Sequence, residues 1–281
     1  MRVLNKVSSM QEWSLRQRYN GARVSLVPTM GYLHEGHLSL IRLAREHSER
    51  VVVSVFVNPT QFGPTEDYEK YPRDTQRDLM ACDTENVDVV LLPSPTEMYA
   101  HGASVWVDES HVSATYEGAQ RPGHFRGVLT VVAKLFNAVQ PSVAVFGEKD
   151  AQQLWLIKHM VKDLFYPIRI ESGPTRREPD GLAMSSRNVY LSREDRAAAV
   201  CLYKGLSEAR TRHRAGEFRA GLLLAAAMAH IRPVVQAKVD YLDIVSEAAF
   251  TPLEQVDEPA RMIVAARFGK TRLIDTMRLD V

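Results

Sequence analysis

Short runs of apolar residues alternate with longer stretches of helical periodicity through the first part of the chain. From residue 22 to about residue 172, each strand-like run is followed by a stretch whose apolar residues have helical spacing. This alternation is typical of parallel strands joined by crossover helices. VVVSVFV, residues 51–57, is almost wholly apolar and β-branched, as expected of a strand that is covered on both faces. The pattern predicts a doubly wound parallel sheet.

The pattern also gives approximate bounds for the elements of this sheet. Strands are predicted at Val24–Val27, Val51–Val57, Val87–Leu92, Ser104–Val107, Ser142–Phe146 and Pro167–Glu171. Helices are predicted at Glu35–Glu49, Asp74–Cys82, Val128–Val139 and Ala151–Leu164.

The alternation of strand-like and helix-like segments ends beyond Ser172. The loop GPTRREPDGLAMSSRN is followed by two predicted helices and three predicted strands: Arg193–Arg214, Glu217–Ile231, Val239–Val245, Arg261–Phe268 and Thr271–Asp275. A chain of 281 residues is long enough for about two domains. We therefore predict an α/β protein with a doubly wound domain at residues 1–175 and a smaller C-terminal α+β domain at residues 176–281.

Composition narrows the classes of partner and compartment. The 35 Lys and Arg residues nearly balance the 34 Asp and Glu residues, so no overall charge favours nucleic acid or an anionic membrane. Cys82 and Cys201 form no CxxC motif, which suits a reducing compartment. The N-terminal stretch lacks the apolar core of a secretory signal, and no run of about 18 apolar residues occurs. We expect a cytoplasmic protein without nucleic-acid or membrane partners.

The segment PTMGYLHEGH, residues 28–37, directly follows the first predicted strand of this sheet. A Gly-containing turn here leads into a helix whose free N–H groups and dipole would favour an anion. His34 and His37 share one helix face, so both could donate to phosphate oxygens. A single histidine at a helix start is more often only a solvated polar residue. A metal site is not predicted, because HxxH supplies two ligands and nothing nearby completes the set.

Three further polar segments follow predicted strands or open the second domain. Asn58 and Gln61, in NPTQFGPTED, could bind hydroxyls or a carboxylate, or could form a plain turn. In FGEKDAQQL, Lys149 offers a charge for phosphate and Asp150 an acceptor for ribose, although Asp150 could simply cap a helix. In DGLAMSSRN, residues 180–188, two hydroxyls and a guanidinium suit a leaving pyrophosphate, but a polar linker is the alternative.

Convergence favours the functional interpretation, because the carboxyl ends of parallel strands share one edge of a sheet. The four segments together predict a site for a nucleoside triphosphate. The chain contains no GxxxxGK[ST], GxGxxG or GxSxG motif, so it supports neither a P-loop enzyme, a dinucleotide dehydrogenase nor a nucleophile-elbow hydrolase.

Six motifs in order give the chain a specific resemblance. PTMGYLHEGH, FVNPTQF, RPGHFRGV, LFNAVQP, FGEKDAQQL and DGLAMSSRN closely resemble the pantothenate synthetase family, which joins pantoate to β-alanine with ATP. HEGH and MSSR are also similar to the HIGH and KMSKS elements of nucleotidyltransferases and class I aminoacyl-tRNA synthetases. The resemblance covers nearly the whole chain and implies a Rossmann-like domain, a smaller C-terminal lid and a homodimer.

The resemblance also implies roles for individual residues. The expected catalytic set is His34, His37, Lys149, Ser185, Ser186 and Arg187, with His37 as the proton donor. The expected ATP-binding set is Met30, Gly31, Tyr32, Leu33, His34, Glu35, Gly36, His37, Gly147, Glu148, Lys149, Asp150, Arg176, Met184, Ser185, Ser186 and Arg187. The expected substrate-binding set is Gln61, Gln153 and Asn58. The sequence departs from the family's usual residues at Thr60, Arg176 and Pro179. Arg176 affects a side-chain contact to the nucleotide, and Pro179 affects the stiffness of the lid.

The implied reaction passes through a pantoyl adenylate and yields pantothenate, AMP and pyrophosphate. Mg²⁺ is expected to arrive on the triphosphate, since the sequence offers no dedicated carboxylate cage, and no tightly bound organic cofactor is expected. Two other functions fit parts of the pattern. A nucleotidyltransferase acting on a phosphorylated acceptor would need a second anion pocket, which the neutral pair Gln61 and Gln153 does not offer. A nucleotide- or RNA-binding module without catalysis is disfavoured by the net charge of +1 and by the basic residues of the predicted site.

Overall fold

The computed structural model describes residues 1–279, and in it the chain divides into two compact units. The first unit comprises Met1–Gly147 and Gln152–Gly173, and the second comprises Glu148–Ala151 and the chain from Pro174 onward. The FGEKD motif is therefore split between the two units after Gly147. Each unit has its own sheet and its own hydrophobic core.

The first unit contains a six-stranded sheet in which every paired strand is parallel. Its strands are β1 (Arg2–Leu4), β2 (Val24–Thr29), β3 (Arg50–Val55), β4 (Val89–Leu91), β5 (Val143–Gly147) and β6 (Arg169–Gly173). Its helices are α1 (Val7–Tyr19), α2 (Glu35–His47), α3 (Thr75–Thr84), α4 (Pro95–Met98), α5 (Tyr116–Gln120), α6 (His124–Val139) and α7 (Ala151–Asp163). The predicted doubly wound sheet is confirmed.

The burial of its strands explains why this sheet could be predicted from the sequence. Val51, Val52 and Val53 in β3 are completely buried, as are Val89, Val90 and Leu91 in β4. Strands covered on both faces by crossover helices show continuous apolar runs rather than alternation. The order β1-β4-β3-β2-β5-β6 places β2 and β3 at the centre of the sheet.

The second unit contains a three-stranded antiparallel sheet in the order β7-β8-β9, packed with three helices. Its elements are α8 (Arg193–Ala198), α9 (Val200–Arg214), α10 (Ala220–Ile231), β7 (Ala237–Ser246), β8 (Ala260–Phe268) and β9 (Thr271–Leu279). The helix α8 is capped at its start, since the Ser192 hydroxyl accepts the N–H of Asp195 at 3.0 Å. The predicted α+β class of this segment is confirmed.

Some predicted bounds were wrong. The single helix predicted at Arg193–Arg214 is interrupted at Ala199, so α8 and α9 are separate helices. The helix predicted from Glu217 begins only at Ala220, because the Glu217 carboxylate accepts the N–H of Arg219 and holds a turn before it. The helix predicted from Val128 begins at His124, after Gly123 in the left-handed conformation.

The strand predicted at Ser104–Val107 does not form. No strand pairs with this segment within residues 1–279, and the N–H of Val107 donates to the Thr130 hydroxyl at 3.0 Å instead of to a ladder. Val105 is 84% exposed, so the apolar letters of this segment do not mark a buried strand. Conversely, β1 and α1 precede the region in which we predicted elements.

Among residues 1–279, no helix is both long enough and apolar enough to span a bilayer.

An acidic group between β3 and β4 makes the stability of the first unit sensitive to low pH. The Asp88 carboxylate accepts the N–H of Val51 at 2.9 Å and pairs with Arg45 at 2.8 Å and Arg50 at 2.9 Å. Burial raises the pKa of Asp88, but these three donors together outweigh burial, so the pKa lies below its ordinary value. A depressed pKa gives stability that is present above the unfolded pKa of about 3.9 and is lost as pH falls below it.

We therefore expect Asp88→Asn to flatten the acid side of the stability profile. As pH drops from about 5 toward 2, the free energy of unfolding of the unmodified protein should fall more steeply than that of the variant. The reason is that the Asp88 carboxylate takes up a proton in this range, whereas the asparagine amide does not. Urea denaturation at a series of pH values measures this difference. Parallel pH profiles for the two proteins would contradict the assignment.

Candidate active site

Two of the predicted site segments meet at the point where the direction of strand order reverses. From β2 the chain proceeds to β3 and β4 on one side of the sheet, and β5 and β6 lie on the other side. In open parallel sheets, ligands bind beyond the carboxyl ends of the strands at such a switch point. The Met30–His37 segment follows β2, and Gly147 is the last residue of β5. The topology thus places both segments at the expected position.

His34 and His37 form a reciprocal cap at the start of α2. The Nδ1 atom of His34 accepts the N–H of Gly36 at 3.1 Å, and the Nδ1 atom of His37 accepts the N–H of His34 at 3.3 Å. The two ring centroids lie 4.0 Å apart. An imidazole whose Nδ1 accepts a hydrogen bond carries its proton on Nε2. From this network we infer that both histidines present Nε2–H as their donor.

This cap corrects one detail of the sequence interpretation. The N–H groups at the start of α2 were expected to be free for an anion, but those of His34 and Gly36 donate to imidazole nitrogens. The N–H of His37 donates to the carbonyl of His34 at 2.8 Å. Because these backbone donors are used inside the turn, they are not the free donors that the sequence predicted.

The turn before these histidines has an unusual backbone. Gly31 has φ +82° and Tyr32 has φ +50°, so two consecutive residues adopt the left-handed conformation. A Cβ atom at position 31 would lie 2.9 Å from both the Asp78 carboxylate and the Val55 side chain, so only glycine fits there. The Asp78 carboxylate accepts the N–H of Tyr32 at 2.8 Å and that of Leu33 at 2.7 Å.

Asp78 was missed by the sequence reasoning. It lies on α3, is 2% exposed, and shares its helix face with the fully buried Cys82 one turn later. Burial raises the pKa of Asp78, and the N–H groups of Leu33 and Tyr32 act in the opposite direction. An aspartate on the buried face of a predicted helix is the sequence signal that could have identified it.

Asn58 and Gln61 are joined in one hydrogen-bond network. The Oδ1 atom of Asn58 accepts the N–H of Thr60 at 3.4 Å, and its Nδ2 donates to the carbonyl of Gly127 at 3.1 Å. These two backbone partners fix which end of the Asn58 amide is nitrogen. Nδ2 also donates to Gln61 Oε1 at 3.0 Å, so the Gln61 nitrogen points away and lies 3.0 Å from the sulfur of Met30. Gln61 is thereby set to offer N–H donors, which suit a carboxylate or hydroxyl oxygen.

Further polar groups support this network. The hydroxyl of Tyr99, a residue that the sequence did not single out, donates to Asn58 Oδ1 at 2.9 Å, and Thr60 Oγ1 lies 3.0 Å from the same oxygen. Thr60 departs from the family's usual residue, and its hydroxyl takes part here. The loop RPGHFRG, residues 121–127, is also anchored, since Arg121 pairs with Glu66 at 2.6 Å and donates to the Gln61 carbonyl at 3.3 Å.

Close packing of α6 against the Pro59–Gln61 turn predicts a large effect of one added methyl group. A Cβ at position 127 would lie 2.4 Å from the carbonyl oxygen of Thr60 and 2.7 Å from the nitrogen of Gln61, both of them backbone atoms. We expect Gly127→Ala to lower the free energy of unfolding by about 1–3 kcal/mol. Gly221→Ala is the matched control, because a Cβ at position 221 in α10 meets nothing within 4 Å. That variant should gain about 0.4–1 kcal/mol. Equal effects of the two substitutions in chemical denaturation would contradict the packing argument.

The residues predicted from the FGEKD motif lie partly in the second unit. The Nζ atom of Lys149 lies 3.7 Å from the Asp150 carboxylate. Glu148 lies 3.5 Å from the guanidinium of the buried Arg261, which also pairs with Glu247 at 2.9 Å. The strand β8 thus holds the backbone next to Lys149 through an ion-pair cluster. Gln153 lies in the first turn of α7 and is half-buried beside Gln152, whose amide binds backbone atoms near residue 115.

The loop that carries Met184 to Arg187 is closed on itself within the second unit. The N–H of Met184 donates to the carbonyl of Arg176 at 3.0 Å, so Arg176 contributes a backbone contact to the loop. The N–H of Gly181 donates to the carbonyl of Glu178 at 2.8 Å, which places Pro179 at the second position of a turn, where proline is favoured. Ser185 Oγ accepts the N–H of Arg187 at 3.3 Å, and Ser186 is buried.

A buried ion pair anchors the start of this loop. Arg177 donates to both oxygens of Asp275, at 2.7 Å and 2.9 Å, and its guanidinium lies 4.7 Å from the centroid of the Tyr203 ring. Asp275 ends the RLID segment and its side chain is 3% exposed. The sequence of the loop gives no sign of this pair, because the two partners lie 98 residues apart.

The predicted catalytic set is distributed between the two units. His34 and His37 belong to the first unit, whereas Lys149, Ser185, Ser186 and Arg187 belong to the second. Within residues 1–279, no three His, Cys, Asp or Glu side chains are placed to hold a metal ion together. Cys82 and Cys201 are buried and unbridged, and burial raises their pKa values to about 12 and about 11. Neither thiol is suited to act as a nucleophile.

Comparison with known proteins identifies the family. The family model described as pantoate-beta-alanine ligase matches residues 2–278. The chain belongs to the pantoate-beta-alanine ligase family. It is 49% identical over 275 residues to a pantothenate synthetase of Thermotoga neapolitana, covering 98% of each chain. It is 46% identical over 281 residues to that of Acetivibrio thermocellus, covering both chains completely.

Solved structures of the pantoate-beta-alanine ligase family have the same fold. The pantothenate synthetase of Thermus thermophilus superposes with a TM-score of 0.95 at 46% identity over the full length of both chains. The enzyme of Francisella tularensis, solved as a complex with β,γ-ATP and β-alanine, gives a TM-score of 0.82 at 33% identity and covers 100% of this chain and 98% of its own. The predicted resemblance and the predicted fold class are both confirmed, and the protein is a ligase.

Proposed function

We propose that the protein condenses pantoate with β-alanine in two steps that consume ATP. In the first step, a carboxylate oxygen of pantoate attacks the α-phosphorus of ATP, and the bond to pyrophosphate breaks. In the second step, the free amine of β-alanine attacks the acyl carbon of pantoyl adenylate. The bond between that carbon and the adenylate oxygen breaks, which releases AMP, pantothenate and a proton.

The first step needs charge stabilisation more than it needs a protein nucleophile. The attacking carboxylate is already nucleophilic, and negative charge grows on the leaving pyrophosphate. We assign the Nε2–H groups of His34 and His37 to the phosphates, together with Lys149, Ser185, Ser186 and Arg187. Donors that are held in place before the reaction are the most effective stabilisers of such charge. The reciprocal cap at the start of α2 supports the assignment, because it fixes both imidazoles with Nε2–H as their donor.

The remaining ATP-binding residues surround this donor set. We propose that Met30–His37, Gly147–Asp150, Arg176 and Met184–Arg187 enclose the nucleotide, with Asp150 at the ribose.

The pantoate site is assigned to Gln61 and Gln153, with Asn58 as support. The orientation of Asn58 fixes Gln61 Oε1 as an acceptor, so Nε2 is the donor end. One N–H of Nε2 is directed at the sulfur of Met30, and the other suits a carboxylate or hydroxyl oxygen of pantoate. We also assign Gln61 to the border of the β-alanine position; the Francisella tularensis relative was solved with that amino acid bound. Neutral amides carry no charge that would select a phosphorylated acceptor.

The second step demands that water be kept from the adenylate. We propose that the C-terminal domain, from about residue 176, acts as a lid whose loop at residues 180–188 moves between steps. ATP is taken to enter with Mg²⁺ bound to its triphosphate, since Mg²⁺ commonly keeps water and phosphate oxygens as ligands. We further propose a cytoplasmic homodimer without a tightly bound organic cofactor.

The observation that carries this proposal is the membership in the ligase family together with the fixed imidazole pair at the switch point of the sheet. The test is a product assay with purified protein. AMP and pyrophosphate should form in equal amounts, only when pantoate is present, and pantothenate should form only when β-alanine is added. Release of ADP, or nucleotide turnover that does not depend on pantoate, would reject the proposal.

A further inference from the structure

The buried carboxylate of Asp78 contacts the turn that precedes His34, and it has no role in the reaction as assigned so far. Asp78 accepts two consecutive backbone N–H groups, those of Tyr32 and Leu33, at 2.8 Å and 2.7 Å. Leu33 is followed immediately by His34, the N-cap of α2. Burying a carboxylate is unfavourable unless hydrogen bonds compensate it, so a carboxylate at this position needs a specific explanation.

The turn that Asp78 binds does not adopt its shape by local preference alone. Gly31 and Tyr32 both have positive φ, at +82° and +50°, and tyrosine has no intrinsic preference for that region. Conformations of this kind persist only where the surrounding structure enforces them. The bidentate acceptance by Asp78 satisfies both N–H groups that this conformation turns inward.

A second residue of α3 holds the opposite side of the same turn. The guanidinium of Arg77 donates to the carbonyl of Leu33 at 3.3 Å and lies 4.8 Å from the centroid of the Tyr32 ring. Adjacent residues of one helix therefore bind the N–H groups and a carbonyl of the turn. The position of the turn is set by α3 from outside the segment that carries the histidines.

We propose that Asp78 is a positioning residue of the nucleotide site: its carboxylate fixes the Gly31–Leu33 turn and thereby the imidazoles of His34 and His37. The inference rests on the proposed function, in which these imidazoles bind the phosphates of ATP. A displacement of about 1 Å in such a donor costs about 10²-fold in rate. The effect of losing Asp78 should therefore appear in nucleotide binding and in the adenylation step.

Charge alone predicts the opposite result, which makes the proposal sharply testable. Removing a negative charge beneath a polyphosphate site should strengthen ATP binding if Coulomb repulsion dominates. Asp78→Asn keeps the size of the side chain, but its amide NH₂ group faces one backbone N–H where a carboxylate oxygen was the acceptor. If positioning dominates, this neutral variant binds ATP more weakly despite the lost repulsion.

The experiment compares the protein with Asp78→Asn, Arg77→Met and Asp74→Ala. Arg77 is exposed, so Arg77→Met retains the fold and tests the same turn if Asp78→Asn is unstable. Asp74→Ala is the matched control: Asp74 caps α3 by accepting the N–H of Arg77 at 3.1 Å, and it does not bind the turn. The affinity for β,γ-methylene ATP is measured by calorimetry, and KM for ATP and for pantoate by the AMP assay.

We expect Asp78→Asn to weaken binding of the ATP analogue and raise KM for ATP by about tenfold or more, to lower kcat by up to about 10²-fold, and to leave KM for pantoate unchanged. Arg77→Met should change the same quantities in the same direction by a smaller factor. Asp74→Ala should lower thermal stability with KM for ATP intact.

Analogue affinity that equals or exceeds that of the unmodified protein in both Asp78→Asn and Arg77→Met would overturn the proposal. So would equal increases in KM for ATP and pantoate, which would indicate a general loss of structure. Calorimetry with the analogue does not depend on pantoate turnover. A failure of this inference is therefore distinguishable from a failure of the product assay.

Discussion

His37→Asn should lower kcat for pantoate-dependent AMP formation by about 10²–10³-fold, whereas His37→Gln should retain a measurable part of the activity. In asparagine, Oδ1 replaces Nδ1 as the acceptor of the His34 N–H, which lies 3.3 Å away in the native turn, but the distant donor is lost. In glutamine, the amide nitrogen reaches the position of Nε2, and the acceptor at Nδ1 is lost. The pair of variants separates the phosphate donor from the helix cap.

The stability of the two variants should run in the opposite order. Loss of a cap costs about 0.5–2 kcal/mol, so His37→Gln should unfold more easily than His37→Asn. The rate of pyrophosphate release and the free energy of unfolding in urea are the two measurements. If activity and stability fall together in both variants, His37 acts through the fold of α2 and not as a phosphate donor.

The second large effect concerns the anchor of the loop at residues 176–187. Asp275→Asn should lower the free energy of unfolding by about 3–5 kcal/mol, because it leaves the Arg177 guanidinium without a charged partner in a nearly buried site. Both hydrogen bonds of the pair are short, at 2.7 Å and 2.9 Å, and the same guanidinium donates to the Gly181 and Thr276 carbonyls. The loop that carries Ser185, Ser186 and Arg187 should loosen with it.

A neighbouring ion pair provides the control. Asp180, in the same loop, pairs with Arg196 of α8 at 2.7 Å, but Asp180 is substantially exposed. Exposed pairs contribute about 0–1 kcal/mol, so Asp180→Asn should have a small effect on urea denaturation. Comparable losses for the substitutions at positions 180 and 275 would show that burial of the Arg177–Asp275 pair does not set its contribution.

The central sheet could be predicted from the sequence because its strands are covered on both faces. Continuous apolar runs such as residues 51–57 have few alternative explanations in an α/β protein. Periodicity was less informative where an element is short or exposed. The strand β1 has three residues and is mostly exposed, so it leaves no apolar run. The segment Ser104–Val107 has the letters of a strand, but it has no partner strand among residues 1–279.

The candidate site was predictable where the motifs themselves carry the chemistry. His34, His37, Asn58 and Gln61 were named from their position after strands, and the structure adds their tautomers and amide orientations. Residues that act on the site through tertiary contacts were not predictable in this way. Asp78 lies 46 and 45 residues beyond the two residues of the turn whose N–H groups it accepts. In the second unit, the buried ion pair that anchors the loop joins residues 98 positions apart.

Helix capping by imidazole also escaped the sequence reasoning. A helix start after a glycine turn is usually interpreted as a set of free N–H groups for an anion. Here the side chains of His34 and His37 accept the N–H groups of Gly36 and His34, so these groups are not free for an anion. Only coordinates distinguish the two arrangements, because both have the same residues at the same spacing.

The central claim is that the pantoate carboxylate forms a bond to the α-phosphorus of ATP. Pantoate labelled with ¹⁸O in its carboxylate tests this claim most directly, with mass spectrometry of the nucleotide and phosphate products. The account predicts that each AMP formed carries one ¹⁸O atom, because the acyl C–O bond breaks when the amine attacks. Unlabelled AMP, or label in inorganic phosphate or pyrophosphate, would contradict it.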